Sequence, residues 1–252
     1  MEATTNVASI FDKQKYACLQ GVDFSRKGSI DIAIADLVTT INKQNHLFTT
    51  SSCSGRIIVF ENWLFTSHEA ASLDNVIGCL QNHEGNAVFK FEPMILHIQS
   101  RSLQDAQKLL HCAVASGFRN SGISIGNRGK IITAVRSTHS LEVPLSHEGT
   151  LMVTDKYLKF LTNVANDKMA ENIQRISRFS QNLRDLLNEK DTESSSQSAN
   201  KSLMKRSTDQ SDRSTVKKSP KLSSSSEGEE DKSIDPSDVL SDCFLLDDTE
   251  IT

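Results

Sequence analysis

Apolar residues at positions 30, 34, 37, 38 and 41 recur every three or four places behind Ser29, a good N-cap, so the spacing predicts a helix with one buried face. Phe48 to Ser52 and Ile57 to Phe60 read as strands around a turn, Cys53-Ser54-Gly55-Arg56, with Trp63 to Thr66 as a third strand of a hairpin or meander. Ser72 caps a short helix through Leu80. Ala87 to Glu92 alternates as a strand, and Met94 to Gln99 follows as an apolar strand carrying His97. Pro93 between them cannot donate to a ladder and belongs at an edge, a bulge or a strand junction. Ser102-Leu103-Gln104-Asp105 has the form of a capping box and opens a helix with Leu103, Ala106, Leu110, Ala113 and Val114 on one side, stopped by Gly117. Ile123 to Ile125 and Ile131 to Val135 flank Gly126-Asn127-Arg128-Gly129, a hairpin signal. A second hairpin is expected from Leu141 to Leu145 and Thr150 to Val153. From Thr154 an amphipathic helix runs to about Asn188, with a break expected near Asn166-Asp167. Helices and strands mix without regular βαβ alternation, so the class is α+β: one domain with a mixed or antiparallel sheet and flanking helices, not a doubly wound fold.

Charge divides the chain where the apolar spacing stops. Residues 1–188 hold 19 Lys+Arg against 17 Asp+Glu, whereas residues 189–252 hold 9 against 15, with 16 serines. Such a segment buries too little apolar surface to offset its conformational entropy, and it is expected to be a disordered tail. Lys201 to Lys221 is a basic arm and Glu227 to Glu250 an acidic end. The 188-residue part is large enough for a core without staples. No apolar run reaches membrane-spanning length, and the first twenty residues lack a signal-peptide pattern. A cytoplasmic address follows, with Lys217-Lys218-Ser219-Pro220-Lys221 a nuclear-import or RNA-tethering candidate. Five scattered cysteines without a CxxC indicate neither a disulfide framework nor a zinc ribbon.

Candidate chemistry gathers in four places. Thr49 to Arg56 packs hydroxyls, the Cys53 thiol and backbone N–H groups beside an arginine, a composition suited to a carboxylate, phosphate or heterocycle edge, although a serine-rich surface turn has the same look. His97 sits with Lys90 and Glu92 in an apolar strand region, where an unpaired polar group costs several kcal/mol, so it meets a core partner or lines a cavity. Gly117-Phe118-Arg119-Asn120-Ser121-Gly122 and Arg136-Ser137-Thr138-His139 pair cations with hydroxyls. Arg128, Lys130, Arg175, Arg178 and Arg184 are solvated or contact phosphates. No P-loop, HExxH, GxSxG or GxGxxG occurs. No spacing supports a metal among Cys53, His68, His97, His111 and His139. A Cys53 nucleophile for acyl transfer needs an adjacent histidine or other cation, which the sequence alone does not place.

Taken in order, Asp23-Phe24-Ser25-Arg26-Lys27-Gly28-Ser29-Ile30-Asp31, Phe48 to Arg56, Phe89 to Pro93, Leu96-His97, Gly117 to Gly122, Arg136 to His139 and Leu141 to Leu145 resemble the tRNA wybutosine-synthesizing protein 3 family over residues 10–185. The connection from Arg56 to Trp63 is shorter than the polar excursion the family implies there. The resemblance implies an S-adenosyl-L-methionine-dependent methyltransferase of non-Rossmann fold. The implied substrate is the 3-amino-3-carboxypropyl-4-demethylwyosine intermediate at position 37 of phenylalanine tRNA, methylated at N4. Under it, Ser52, Cys53, Ser54, Gly55, Arg56, Ser121 and Gly122 hold the cofactor, and Lys27, Trp63, Arg119, Arg136 and His139 hold the substrate. His97 orients groups or accepts the proton, with Asp31 behind it, and no metal takes part. A noncatalytic RNA-binding or scaffold protein on the same fold is the alternative.

Overall fold

A computed structural model describes residues 2–21, 28–81 and 83–204, with side chains described over 10–188 apart from Arg128 and the gaps. The proposed contact residue Lys27 and the tail beyond 204 lie outside the described residues. Helix α1 (Glu2–Gln20) leads to a 3-10 turn at Ile32–Ile34 and helix α2 (Ala35–Asn42). There follow β1 (Leu47–Phe60), β2 (Phe65–Ser67), α3 (Leu73–Leu80), β3 (Val88–Ser100) and α4 (Leu103–Ala115). Then come β4 (Gly122–Ile125), β5 (Ile131–Val135), β6 (Leu141–Pro144), β7 (Ser146–His147), β8 (Thr150–Leu151) and the long α5 (Asp155–Met204). The main sheet is antiparallel, ordered β2-β1-β3-β5-β4, with β6 pairing the other end of β3. The α+β reading holds.

The expected hairpin at Cys53 to Arg56 does not form. β1 runs through that segment as one strand, because both halves find their partner in the same strand, β3, from Leu47↔Ser100 to Phe60↔Val88. Pro93 sits at a junction on the far edge of β3: β5 pairs residues 96–100 and β6 pairs residues 88–91. The uncovered interval between them is where a missing N–H costs nothing. The reversal comes later, at Asn62 and Trp63, both with positive φ (52° and 61°), so Trp63 lies in the turn and the strand begins at Phe65.

Helix starts follow the side chains that cap them. Ser72 and Ser102 accept the N–H groups of Asn75 and Asp105 at 3.2 and 3.1 Å, as expected. Ser29 does not cap a helix: helical geometry begins at Ile32 after Asp31, and Ile30 is left exposed. In α4 the buried positions are Ala106, Leu109, Cys112 and Ala113, while Leu103 and Val114 face outward, so the face is rotated from the predicted one. Gly117 takes φ 102° at the helix stop, the conformation that favours glycine. β6 pairs with β3, and the predicted second hairpin shrinks to β7 and β8.

No break occurs in α5 at Asn166-Asp167. Asn166 instead clamps Ala71, its Oδ1 accepting the Ala71 N–H (2.8 Å) and its amide donating to the Ala71 carbonyl (2.9 Å). Further along the helix, the fully buried Asn172 does the same between the two long strands. Its Nδ2 donates to the Ser54 carbonyl at 2.7 Å and its Oδ1 accepts the Met94 N–H at 2.9 Å. Beside it Gly55 has φ 101°, and a Cβ there would stand 2.8 Å from Asn172 Nδ2, 3.0 Å from the Glu92 carbonyl and 3.1 Å from the Met94 nitrogen. The core divides at this point. Met94, Leu96 and Ile98 join α2, α4 and the Ile176–Leu183 part of α5, while Ile57, Val59, Phe89 and Phe91 join α3 and the Leu158–Met169 part.

Asn172→Ala is expected to lower unfolding stability by about 2–4 kcal/mol, because it leaves a buried carbonyl and a buried N–H unpaired. Gly55→Ala should cost about 2 kcal/mol or more through strain and overlap. Urea unfolding of each variant checks both, and a change under about 0.5 kcal/mol, the ordinary surface value, would refute the clamp.

Candidate active site

The face of β1 and β3 turned away from the core carries the polar side chains. Met94, Leu96 and Ile98 are buried among the helices, so Ile95, His97 and Gln99 between them point the opposite way. Their register partners Cys53, Ser51 and Phe48 point with them, as do Arg56 and Glu92 beyond Gly55. One end of this face is closed by α1: Phe11 meets Phe48 edge-on at 5.3 Å and Gln99 Nε2 donates to Gln14 Oε1 at 2.7 Å.

His97 is held by both ring nitrogens. Arg136 can only donate, so Nε2 accepts from its guanidinium (2.9 Å), and Nδ1 must then carry the proton and donate to Ser51 Oγ (2.8 Å). Burial, with the Arg136 charge adding to it, lowers the imidazole pKa to about 4. The ring is neutral at physiological pH, with its lone pair engaged. Ser121 extends the group, donating to the Phe118 carbonyl (2.7 Å) and accepting the Arg136 N–H (3.1 Å). Ser51, His97, Ala134 and Gly122 lie abreast across four strands. Among the described residues nothing stands within 4 Å of where a Gly122 Cβ would be, so they leave the sheet surface open there.

Asp31 does not stand behind His97, whose ring nitrogens are both taken. Its buried carboxylate accepts the Ser54 N–H at 2.8 Å and lies 3.3 Å from Nδ1 of His68. His68 Nδ1 is also 3.1 Å from the Gly55 carbonyl. Cys53 completes the cluster: ligand-capable atoms of Asp31, Cys53 and His68 lie within 4.8 Å of one another, a grouping the sequence spacing did not suggest. Burial raises the Cys53 thiol, and the Asp31 and Glu92 carboxylates add to the rise against Gly55 and Arg56. A thiol of that kind is protonated at neutral pH and makes a poor nucleophile, which removes the acyl-transfer reading.

Further along, Arg56 Nε donates to Glu92 at 2.7 Å, and its guanidinium lies 5.1 Å from the centre of the Trp63 ring, which also meets Phe60. Half-buried Trp63 thus lies on the polar face, held at a positive φ rare for so bulky a residue. The other predicted residues are dispersed. Ser52 pairs with Leu96 and shares its helix-facing side. Ser54 is buried and contributes its backbone. Arg119 is exposed in the turn before Ser121. His139 packs against Phe91 on the helix side, its Nδ1 bonded to Ser137 and close to Arg175, and its Nε2 is buried without a partner among the described residues. Arg175 and Arg178 donate to the Gly117 and Ser116 carbonyls just past α4 and to the Glu171 carboxylate, so their work is structural. A shallow depression lined by Gln104, Gln107, Lys108, Leu110 and His111 lies on α4 alone, without an opposing wall or the groups just described.

Sequence reasoning missed Asn172 and the Asp31–His68 pairing. A buried asparagine between Met169 and Ile176, inside an apolar stripe, was the available signal for the first. The second had none, since the partners lie on separate segments with α2 and the whole of β1 between them.

Residues 13–185 match the family model described as methyltransferase TYW3. A tRNA wybutosine-synthesizing protein 3 homolog of Danio rerio is 51% identical over 184 residues, covering 68% of this chain and 73% of the relative. The human homolog is 51% identical, covering 67% and 70%. A Pyrococcus furiosus protein named tRNA(Phe) 7-((3-amino-3-carboxypropyl)-4-demethylwyosine(37)-N(4))-methyltransferase 1 is 34% identical, covering 71% and 96%. A solved Pyrococcus horikoshii structure superposes with a TM-score of 0.67 at 33% identity, covering 71% of this chain and 96% of its own.

His97 is expected to titrate near pH 4 and to remain the Nδ1–H tautomer above it. Arg136→Ala should raise that midpoint by removing the cation while leaving burial in place. NMR titration of the ring signals checks both, and a wild-type midpoint between about 6 and 7, the ordinary histidine range, would refute the arrangement.

Proposed function

The chain belongs to the methyltransferase TYW3 family, and on that premise we propose that it uses S-adenosyl-L-methionine to methylate N4 of the 3-amino-3-carboxypropyl-4-demethylwyosine base at position 37 of phenylalanine tRNA. The name of the Pyrococcus furiosus relative supports the substrate and the accepting atom. The observation that carries the reading is that residues 46 and 39 positions apart within the matched region meet on one sheet face, where His97 bonds Ser51 through one ring nitrogen and Arg136 through the other.

The donor set fits the cofactor. S-adenosyl-L-methionine presents a carboxylate, an ammonium, ribose hydroxyls and an adenine, and the face offers guanidinium, carboxylate, hydroxyl and indole groups. Arg136 keeps N–H donors beyond the one given to His97 and stands beside the open sheet surface at Gly122, so it takes the methionine carboxylate with Ser51 and Ser121 nearby. Cys53, with the backbone of Ser54 and Gly55, borders the same surface. Arg56 and Trp63, already stacked, offer a plane for a base or adenine ring. Arg119 is exposed where it can meet the substrate's carboxylate or an RNA phosphate. When bound, the cofactor supplies a methyl group on sulfonium, which a nitrogen lone pair displaces in line. The residues of this chain align the two reactants and exclude water.

The test is transfer of labelled methyl from S-adenosyl-L-methionine into tRNA from cells blocked at this step, with the modified nucleoside identified by mass spectrometry. Tight tRNA binding with no transfer would favour a noncatalytic RNA-binding role. Arg136→Ala is expected to weaken S-adenosyl-L-methionine binding about ten- to a hundredfold, the range of a charged hydrogen bond. Calorimetry checks this, and unchanged affinity would remove Arg136 from the carboxylate site.

A further inference from the structure

Among the described residues β4 pairs with β5 alone, from Gly122↔Ala134 to Ile125↔Ile131, and so forms an edge of the main sheet. The ladder continues into the turn, where the Gly126 N–H donates to the Lys130 carbonyl at 2.8 Å. Hydrogen-bonded pairs alternate along an antiparallel ladder, so Gly122 and Ser124 bond β5 and the N–H and C=O groups of Ile123 and Ile125 point to the open edge. Folded proteins guard such an edge with a charge, a proline or a bulge, and Gly122-Ile123-Ser124-Ile125 has none of these.

The side chains beside that edge are apolar. Ile123 stands abreast of Thr133 and the core residue Ile98, so Ile123 and Ile125 lie on the helix side of the sheet, Ile125 at 66% exposure. There α4 packs against β5 and β4, while α5 lies over β3 and β1. The two helices meet along one flank of α4, where Cys112 reaches the Phe179 carbonyl and Asn182 donates to Ser116 at 2.9 Å. Leu103, Leu110 and Val114 recur at helical spacing on the other flank, toward the β4 edge, with Leu103 and Val114 42% and 41% exposed. A groove results in which backbone donors and acceptors run beside a row of apolar side chains. Arg119 stands before one end of β4, and Lys130 lies past the other.

We propose that residues 242–248 of this chain, Asp242-Cys243-Phe244-Leu245-Leu246-Asp247-Asp248, add a strand to the free edge of β4, antiparallel to it. These residues lie outside the described ones, and their sequence is what suits them to the groove. Four apolar residues are enclosed by aspartates, as the uncharged β4 is enclosed by cations, and no other apolar run in residues 189–252 exceeds two. Antiparallel pairing sets Asp247 and Asp248 beside Arg119 and Asp242 beside Lys130. Phe244 and Leu246 then share one face and meet Ile123, Ile125, Leu110 and Val114. A second β4 in the same place would bring Arg119 and Lys130 of the two copies together, and like charges oppose that pairing. Residues 205–242 span at most about 125 Å, and Met204 lies about 24 Å along α5 from Asn188, so the connection is long enough. The inference stands apart from the methyl-transfer reading.

Amide hydrogen exchange of the full-length chain, resolved by residue with NMR, tests the pairing. Ile123 and Ile125 should exchange slowly, as Ser124 does inside the β4–β5 ladder. Phe244→Asp combined with Leu246→Asp changes nothing in the described fold. It should speed exchange at Ile123 and Ile125 about tenfold or more with Ser124 unaffected, as when a linked segment at millimolar effective concentration is released. Val114→Asp, at an exposed position of α4, should act in the same direction from the other side of the contact, and high salt should do so by screening the flanking charges. Exchange equally fast in wild type and the double variant overturns the proposal, as does protection that survives either change. Protection that rises with protein concentration, with a dimer in sedimentation equilibrium, overturns it by giving the edge to a second copy.

Discussion

Everything on the polar face depends on one buried side chain, Asn172 of α5, and the glycine it presses against. Two long antiparallel strands ordinarily keep a period of two, yet the residues that β3 gives to the hydrophobic core run 89, 91, 94, 96, 98, with an interval of three across Pro93. β1 makes the matching slip at Gly55, so the register of the pair survives while the inward-facing phase changes in both strands. Asn172 occupies the place where the ladder opens, supplying a donor to Ser54 and an acceptor to Met94 that the strands no longer give each other. A larger residue than glycine at position 55 would meet that amide and two backbone atoms at once. An apolar residue at 172 would leave both strands with buried, unpaired groups.

The slip has a chemical consequence. With period two throughout, Cys53 and Arg56 would lie on opposite faces; with the interval of three they share one. The same distortion turns the Ser54 N–H and the Gly55 carbonyl to the strand edge, where Asp31 and His68 bind them. A small, polar, glycine-containing segment in the middle of a strand of 14 residues therefore makes physical sense. Bulky β-branched residues would strengthen the ladder and abolish the edge contacts.

Local signals were legible at several element ends, although the cap expected at Ser29 gave way to a start after Asp31. Ser72, Ser102 and Gly117 bound their helices as expected because a cap is satisfied within one turn. The β4–β5 hairpin and the position of Pro93 at a junction follow from similarly short-range constraints. The failures share the opposite cause. The small, polar residues around Gly55 suggested a hairpin turn, but β3, which follows only after β2 and α3, pairs with both halves and straightens the chain. Asn166 suggested a helix break, but it is spent on Ala71, 95 positions distant. Asp31 was placed behind the wrong histidine because three chain segments must be folded before His68 reaches it. Ser51, Cys53, Arg56, His97 and Arg136 stood out in the sequence, while the partners they bond did not.

The pairing also decides which cation is available to an anionic ligand. Arg56 faces Glu92 at 2.7 Å and is already neutralised, so it contributes a flat surface for stacking more than a net charge. Arg136 is partnered by an imidazole that burial and the guanidinium itself keep neutral. Its charge is therefore uncompensated by that partner while its orientation is fixed, a combination that favours a carboxylate at little ordering cost. The ordering works in both directions: a protonated His97 would repel Arg136 and release it, so the low ionisation of the histidine is a condition for the guanidinium to stay in place. Ser51, by accepting from Nδ1, keeps the ring in the one tautomer whose lone pair can hold Arg136. The hydroxyl segment of β1 thus sets the position of Arg136 at one remove, through the histidine.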